Sequence, residues 1–299
     1  MGMFFGNYDR PGPGVRKDEP KKKAVPRFFS VLHRKFFDLV KLNLLFCLPV
    51  AAVLALIFLF SRLIDNTLFD FLPVILLFPF IGGLTYVTRN YVREEHAFVF
   101  WDFKDAVKNN WKPLLIDGVI VYAVCAMLSI SVPYYLQVAP KGILSSVAAC
   151  ICILIGLLFL FGQYYAPLLI VTFDLKIGQI LKNSMIFAIL GLWRNLLVTL
   201  LIAVLALFTF IAFYIQMPLL IIIFFLLLVF LLFSYCSFLA NFAAYPLVDK
   251  LMIQPYKKQQ EGGSGKEEQD EDDSQNALPA NTDSEKEEED DSSEHADNT

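Results

Sequence analysis

Residues 218–233 read PLLIIIFFLLLVFLLF, a stretch without a single charged side chain. The stretch belongs to one of six apolar runs, at residues 42–60, 68–88, 114–138, 143–173, 196–217 and 219–248. A helix that crosses the hydrocarbon layer needs about 20 apolar residues, which the runs supply. A membrane β-barrel would instead alternate apolar and polar positions in segments of about 10 residues. The sequence therefore predicts an all-α membrane bundle of six transmembrane helices.

The overall composition agrees with lipid as the surrounding solvent. Hydrophobic residues make up 57% of the chain and the mean hydropathy is +0.56. Soluble domains are about 45–50% apolar. A single water-soluble core could not hide this many Leu, Ile and Phe side chains.

The formal net charge of −4 averages two dissimilar parts of the chain. Residues 259–299 contain sixteen acidic and two basic side chains, so they carry about −14 and the rest about +10. A segment so poor in apolar residues cannot bury enough surface to fold. We therefore predict a basic Gly/Pro-rich arm with an interfacial helix at residues 1–41, a membrane domain at 42–250 and a disordered acidic tail at 251–299.

Residues 27–41 form the transition from the basic arm to the first apolar run. Apolar side chains recur here at helical spacing, with Arg34, Lys35 and Lys41 among them. Two interpretations fit this pattern. The segment is an amphipathic helix lying in the membrane interface, or it is the first turns of the first transmembrane helix.

Lysine and arginine are unevenly shared between the two ends of the predicted helices. One end carries the N-terminal arm, residues 89–112, residues 174–194 and the end of the membrane domain. The opposite end carries only Arg62 and Lys141. The positive-inside rule places the richer end in the cytoplasm. An even number of transmembrane helices also puts both termini on one side, so we predict that both are cytoplasmic.

The link between the second and third apolar runs has an amphipathic pattern at residues 99–111. Its apolar positions fall on one arc of a helix and its charged positions on the other. We predict a cytoplasmic amphipathic helix here, either a docking surface for a partner or a linker lying on the membrane. The candidate docking residues are Phe100, Lys104, Lys108 and Trp111.

The sequence shows no signature of catalysis. It contains no phosphate-binding glycine loop, no HExxH motif and no Gly-x-Ser-x-Gly motif. The three histidines, His33, His96 and His295, are far apart and lie outside the apolar runs. All five cysteines lie inside the runs, where small buried hydrophobic residues are expected. We therefore predict a protein that is not an enzyme, with no catalytic, cofactor-binding or metal site.

Ionisable and amide side chains inside the runs are the remaining candidates for function, because polar groups are costly in lipid. Asp117 lies about one turn inside the third run. It is either an interfacial anchor that pairs with a nearby lysine or arginine, or a proton or cation site. Gln163 and Asn241 either form hydrogen bonds between helices or line the path of a sugar.

A weak internal repeat relates the second and third runs to the fourth and fifth. Residues 107–110 (VKNN) are echoed by 181–184 (LKNS), and 111–115 (WKPLL) are echoed by 193–197 (WRNLL). A proline also stands near the same end of every even-numbered run, at Pro79, Pro167 and Pro246. Three helical hairpins built on one plan would produce this pattern.

Four stretches of the chain resemble the YesL-like family of bacterial integral membrane proteins. They are residues 36–49 (FFDLVKLNLLFCLP), 76–94 (LLFPFIGGLTYVTRNYVRE), 100–115 (FWDFKDAVKNNWKPLL) and 163–188 (QYYAPLLIVTFDLKIGQILKNSMIFA). The resemblance implies a multi-pass protein of a bacterial cell membrane. The family has no characterised function and no established site residues. Its genes tend to lie beside systems for carbohydrate uptake and polysaccharide degradation.

Two functions follow as hypotheses. The first is a non-enzymatic accessory protein of a carbohydrate-uptake system, whose partners are the lipid bilayer and a sugar-uptake transporter complex. The second is a transporter of small, sugar-like solutes that uses the polar groups inside the bundle. Nucleic acid is not expected as a partner, and the sequence predicts no oligomeric state.

Overall fold

The computed structural model describes residues 23–64, 66–138 and 142–256, and these residues form helices without any strand. Six helical stretches in this part of the chain are long and apolar enough to cross a membrane. We number them spans one to six: Phe36–Leu63, Thr67–Val92, Val99–Gln137, Ile143–Ile170, Leu192–Ile215 and Pro218–Tyr256. Each contains most or all of one predicted run, so the prediction of a six-span helical membrane protein is confirmed.

The α-helices follow one another with short connections. They are α1 (Ala24–Arg34), α2 (Phe36–Leu63), α3 (Thr67–Asp70), α4 (Phe78–Val92), α5 (Val99–Val138), α6 (Ile143–Gln163), α7 (Ala166–Ile170), α8 (Ile177–Leu190), α9 (Leu192–Ile215), α10 (Pro218–Leu227) and α11 (Phe233–Val248). A 3₁₀ segment covers Leu72–Leu77, and π-helical turns cover Leu228–Leu232 and Asp249–Ile253.

The chain divides into two compact units, residues 1–249 and 250–299. All six spans begin in the first unit, and the described part of the second is the short helical stretch 250–256. Most of the predicted basic arm and nearly all of the predicted acidic tail lie outside the described residues.

The N-terminal transition combines the two interpretations of the sequence. Helix α1 is a separate amphipathic helix, and residues 36–41 are the first turns of span one. Val31 of α1 is buried in the core beside Leu39. Two arginines of α1 also reach the turn after α4, where Arg27 and Arg34 each contact one oxygen of Glu94 at 2.9 Å.

The predicted amphipathic helix between spans two and three is not a separate element. Residues 99–111 are helical, but they continue into span three as the first turns of α5, which is 40 residues long. Phe103 and Val107 pack over Gly83 of α4, so close that a Cβ atom at this glycine would lie 2.8 Å from both side chains. This packing against α4 buries the middle of the apolar arc, so the segment does not lie free on a membrane surface.

The second copy of the repeat is built differently, because α8 and α9 are separate helices. Gly191 lies between them, and the neighbouring Asn195 donates its Nδ2 to the carbonyl of Ala188 at 3.0 Å. A side chain at Gly191 would collide with the hydroxyl of Tyr165. The first copy has no glycine at the equivalent place, and its helix runs on without a break.

Each even-numbered span is interrupted. Span two passes through the 3₁₀ segment, span four breaks at Tyr164 and Tyr165, and span six contains the π-helical turn Leu228–Leu232. Pro79 and Pro167 stand in the first turn after the first two breaks, where a missing N–H costs no hydrogen bond. Pro246 lies inside α11 instead.

Candidate functional site

A cavity of about 350 Å³ lies between spans one, two, four and six, and we call it the central cavity. Its walls are mostly apolar, and its polar side chains come from spans two, four and six. The lining residues are Phe46, Leu77, Ile81, Leu84, Thr85, Gln163, Tyr164, Pro167, Phe233, Cys236, Ser237, Ala240 and Asn241. Two of the three intramembrane residues predicted as candidates, Gln163 and Asn241, therefore line one cavity.

Asn241 belongs to a hydrogen-bonded cluster that joins span six to span two. Its Nδ2 donates to the Thr88 hydroxyl at 2.7 Å and to the Thr85 carbonyl at 3.3 Å. The hydroxyl groups of Thr88 and Ser237 lie 2.9 Å apart. Asn241 and Thr88 are buried, so these bonds satisfy groups that lipid could not. These bonds join Asn241 on span six to span two.

Asp117 is the third candidate, and it lies beside Gln163. Its side chain is fully buried, with 0% of the residue exposed. The Gln163 amide is adjacent to the Asp117 carboxyl group. Neither carboxyl oxygen, nor Nε2 of Gln163, has a hydrogen-bond partner within the described residues. No lysine or arginine of the described residues pairs with Asp117, so the structure differs from the interpretation of this residue as an interfacial anchor.

Close helix packing buries Asp117. Leu114, one turn earlier on α5, packs against Gly82 of α4. Gly118, the next residue along, lets Phe78 approach so closely that a Cβ atom there would lie 2.8 Å from the ring. These two contacts hold α5 close to α4 on either side of Asp117 in the sequence.

Two tyrosines fix the break in span four next to Gln163. The Tyr164 hydroxyl lies 2.9 Å from the Thr199 hydroxyl of α9, and Tyr165 donates to Oδ1 of Asn195 at 2.9 Å. Tyr165 is completely buried. Both residues of the break that follows Gln163 therefore contact span five.

Arg89 is buried, although its sequence position beside the predicted connecting segment indicated only a surface charge. Span two continues to Val92, so Arg89 lies inside α4. Its guanidinium donates to Asn90 Oδ1, to the carbonyl of Val171 at 2.9 Å and to the Thr172 hydroxyl at 3.1 Å. It ties span two to the end of span four. Thr85, Arg89 and Val92 recur at helical spacing, and this pattern indicates that the helix of span two continues past Arg89.

The four predicted docking residues share one exposed strip of α5. Phe100, Lys104, Lys108 and Trp111 recur at intervals of three or four residues, and all four are exposed. The Lys104 ammonium lies 5.3 Å from the ring of Trp101, which extends the strip. Aromatic and basic side chains in such a mixture are typical of a membrane–water interface.

Metal-ligating side chains do not gather in the described part of the chain. No group of three or more His, Cys, Asp or Glu side chains that could hold a metal ion occurs there. Apart from the Cys236 thiol, the polar side chains of the central cavity are amides and hydroxyls, which recognise neutral hydrogen-bonding molecules.

Comparisons with known proteins give one family match. Residues 39–132 match the model of a family described as "Protein of unknown function, DUF624". No curated protein and no solved structure matches the chain. The matched range covers most of spans one to three, so it includes Asp117 and excludes Gln163 and Asn241. The chain is therefore a helical membrane protein with a region similar to this uncharacterised family.

Proposed function

We propose that this protein carries a small, sugar-like polar solute across the membrane by way of the central cavity. The observation that supports this function is the convergence of Gln163 and Asn241 on one cavity of about 350 Å³. An amide side chain both donates and accepts hydrogen bonds, as the hydroxyl groups of a sugar require. The apolar and aromatic walls would pack against the carbon face of such a solute.

The interrupted helices around the cavity support the same proposal. Many transporters bind their substrate where membrane helices are broken near the middle of the bilayer. Here span four breaks at Tyr164, directly after Gln163, and Tyr164 itself lines the cavity. A break of this kind places polar side chains and free backbone groups beside the solute.

The test is transport by the purified full-length chain in sealed lipid vesicles. A panel of labelled mono- and disaccharides would be offered, and time-resolved uptake measured against empty vesicles. We expect saturable uptake of at least one sugar. Gln163→Leu should lower this uptake at least tenfold, because it removes hydrogen bonds to the solute that are desolvated during passage. Asn241→Leu should lower it as well, because it removes the Oδ1 acceptor, the Nδ2 donors being bonded to Thr88 and Thr85.

Gln137→Leu is the matched control, because Gln137 is an exposed glutamine near the end of α5 and away from the cavity. This variant should transport like the parent protein. Folded protein that moves no sugar of the panel, or uptake that survives both cavity substitutions, would overturn the transport function.

A second candidate function is that of a non-enzymatic accessory protein of a carbohydrate-uptake system. The exposed strip of Phe100, Lys104, Lys108 and Trp111 favours it, since such a surface can bind an acidic partner at the membrane. The resemblance to YesL-like proteins, whose genes accompany sugar-uptake systems, supports the same candidate, and the match over residues 39–132 lies within the region of that resemblance.

This candidate predicts a loss of binding when the strip changes charge. Lys104→Glu combined with Lys108→Glu should reduce co-purification of sugar-uptake permease subunits from native membranes. Lys182→Glu is the control, because Lys182 is an exposed lysine on α8. Equal recovery of those subunits with both variants would remove the accessory function.

We also infer that the protein lies in a bacterial cell membrane with both termini in the cytoplasm. The distribution of basic residues supports this orientation. Within the described residues, basic side chains follow spans two and four and recur at the start of α5, whereas the end of span one holds Arg62 alone. The basic residues of the first group are Arg93, Lys104, Lys108, Lys112 and Lys176.

A further inference from the structure

The carboxyl group of Asp117 is buried but does not line the central cavity, so binding of a sugar-like solute gives it no role. It lies on span three, 0% exposed, with both oxygens unbonded in the described structure. Gln163 is the polar side chain beside it, and Nε2 of that residue is also without a partner. A buried acid and a buried amide that lie side by side without hydrogen bonds of normal geometry call for a further explanation.

No cation within the described residues neutralises this carboxyl group. The elements that pack against α5 include α2, α3, α4, α6, α7, α8 and the 3₁₀ segment. Their charged side chains are Asp38, Lys41, Arg62, Asp70, Arg89 and Lys182, and their other titratable side chains are Tyr86, Tyr91, Cys47, Cys150 and Cys152. Asp117 forms an ion pair or hydrogen bond with none of them. Arg89 is bonded to Asn90, Val171 and Thr172 instead.

An ionised carboxylate without a partner costs several kcal/mol or more when it is removed from water, and in practice such a group takes up a proton. A protonated carboxyl group and a primary amide are complementary. The acid O–H donates to the amide oxygen, and the amide N–H donates to the acid carbonyl. Asp117 and Gln163 are adjacent, as this pair requires.

We propose that Asp117 and Gln163 form a proton-binding site inside the membrane domain, and that its proton is coupled to the solute in the central cavity. The coupling, but not the proton site itself, rests on the proposed transport function. Gln163 both lines the cavity and adjoins Asp117, so a solute that bonds to its amide competes with the acid for that partner. The solute then changes the proton affinity of Asp117, and by linkage the proton changes the affinity for the solute.

The test is an infrared titration of the full-length protein in lipid without any solute. We expect the carbonyl band of a protonated carboxyl group, which disappears as the pH rises and is lost in Asp117→Asn. Asp174→Asn is the matched control, because Asp174 is exposed and should leave that band in place. Gln163→Leu should keep the band and shift its titration midpoint, because the hydrogen-bond partner is gone.

The folded state of Asp117→Asn is checked by helical content and elution as a single species. A band that persists in folded Asp117→Asn would overturn the proposal. So would a carboxylate band that stays ionised at every pH and responds to added Na⁺, which would identify a bound cation instead. Sugar uptake is measured separately. Sugar uptake by a protein that lacks the infrared band would overturn the proton site and support the transport function. The infrared band in a protein that takes up no sugar would support the proton site and overturn the transport function.

Discussion

The side-chain amide of Asn43 in span one donates a 2.8 Å hydrogen bond to the backbone carbonyl of Leu228 in span six. The same nitrogen donates to the Val229 carbonyl at 2.7 Å, and Oδ1 accepts from the backbone N–H of Ser234 at 2.9 Å. A π-helical turn shifts the normal pattern of backbone hydrogen bonds. Asn43 thus bonds to backbone groups at the interruption of span six.

We expect Asn43→Leu to destabilise the protein. A hydrogen bond between membrane helices contributes about 0.6 kcal/mol on average, so the loss of three bonds costs about 2 kcal/mol. Unfolding in a denaturing detergent would measure this change. Ser129→Ala is the control, because its exposed hydroxyl bonds only to Ala126 within the same helix. Equal stability of the two variants would show that Asn43 does not hold the π-helical turn.

Gly83→Ala should weaken the packing of α5 on α4. The added methyl group would lie 2.8 Å from atoms of both Phe103 and Val107, so side chains or backbone must shift. Overpacking of this kind typically costs about 1–3 kcal/mol. Gly178→Ala offers a matched comparison, because nothing lies within 4 Å of its added methyl group. Thermal unfolding should separate the variants, and a Gly83→Ala protein as stable as Gly178→Ala would contradict the close packing.

The contact between α1 and Glu94 should depend on pH. Hydrogen bonds from Arg34 and Arg27 hold the pKa of Glu94 below its usual range. Because the folded protein favours the ionised form, the stabilisation is complete above the ordinary pKa of about 4.3 and is lost as the pH falls through the lowered value. The groups are partly exposed, so the effect is modest.

Hydrogen exchange of the α1 amides, corrected for intrinsic rates, would measure this dependence. We expect constant protection down to about pH 4.3 and a several-fold loss below it. Glu94→Gln should show the weaker protection at every pH. Glu95→Gln is the control, since Glu95 pairs with Arg93 instead. A parent protein whose α1 protection does not change with acid would rule out this role of Glu94.

The proposed orientation predicts which introduced cysteines react in intact cells. Thr67→Cys should react with a membrane-impermeant thiol reagent added outside. Lys104→Cys and Lys176→Cys should react only after the membrane is opened. All three positions are exposed, so accessibility within the protein does not decide the result. The parent chain measures the background from its five cysteines. Labelling of Lys104→Cys from outside would reverse the orientation.

The six spans could be predicted because the length and composition of an apolar run suffice to identify a membrane helix. The residues that surround a polar side chain in the folded protein could not be predicted in this way. Helical periodicity tells which side of its own helix Gln163 occupies, but the central cavity depends on how spans two, four and six pack. The burial of Asp117 depends likewise on the close approach of Phe78 to Gly118, a contact between residues 40 positions apart.

The boundaries between elements were the other limit. Nothing in the uniformly apolar residues 218–233 indicates a π-helical turn, and the side chain that bonds to that turn, Asn43, lies almost two hundred residues earlier. The amphipathic segment 99–111 was predicted as a helix, yet its fusion with span three was missed. Amphipathic spacing gives the same signal for a helix on a membrane surface and for a helix end packed on a neighbour.

The π-helical turn also sets the rotational phase of everything that follows it in span six. An α-helix advances about 100° per residue, and a π-helical turn contains one residue more than an α-helical turn. Removing one residue, for example Phe230, would restore a regular helix and rotate Asn241 and Ser237 by about 100° around its axis. Both would then face away from Thr88. The angular position of one cavity wall is therefore encoded in a single surplus residue, about two to three turns before Ser237 and Asn241.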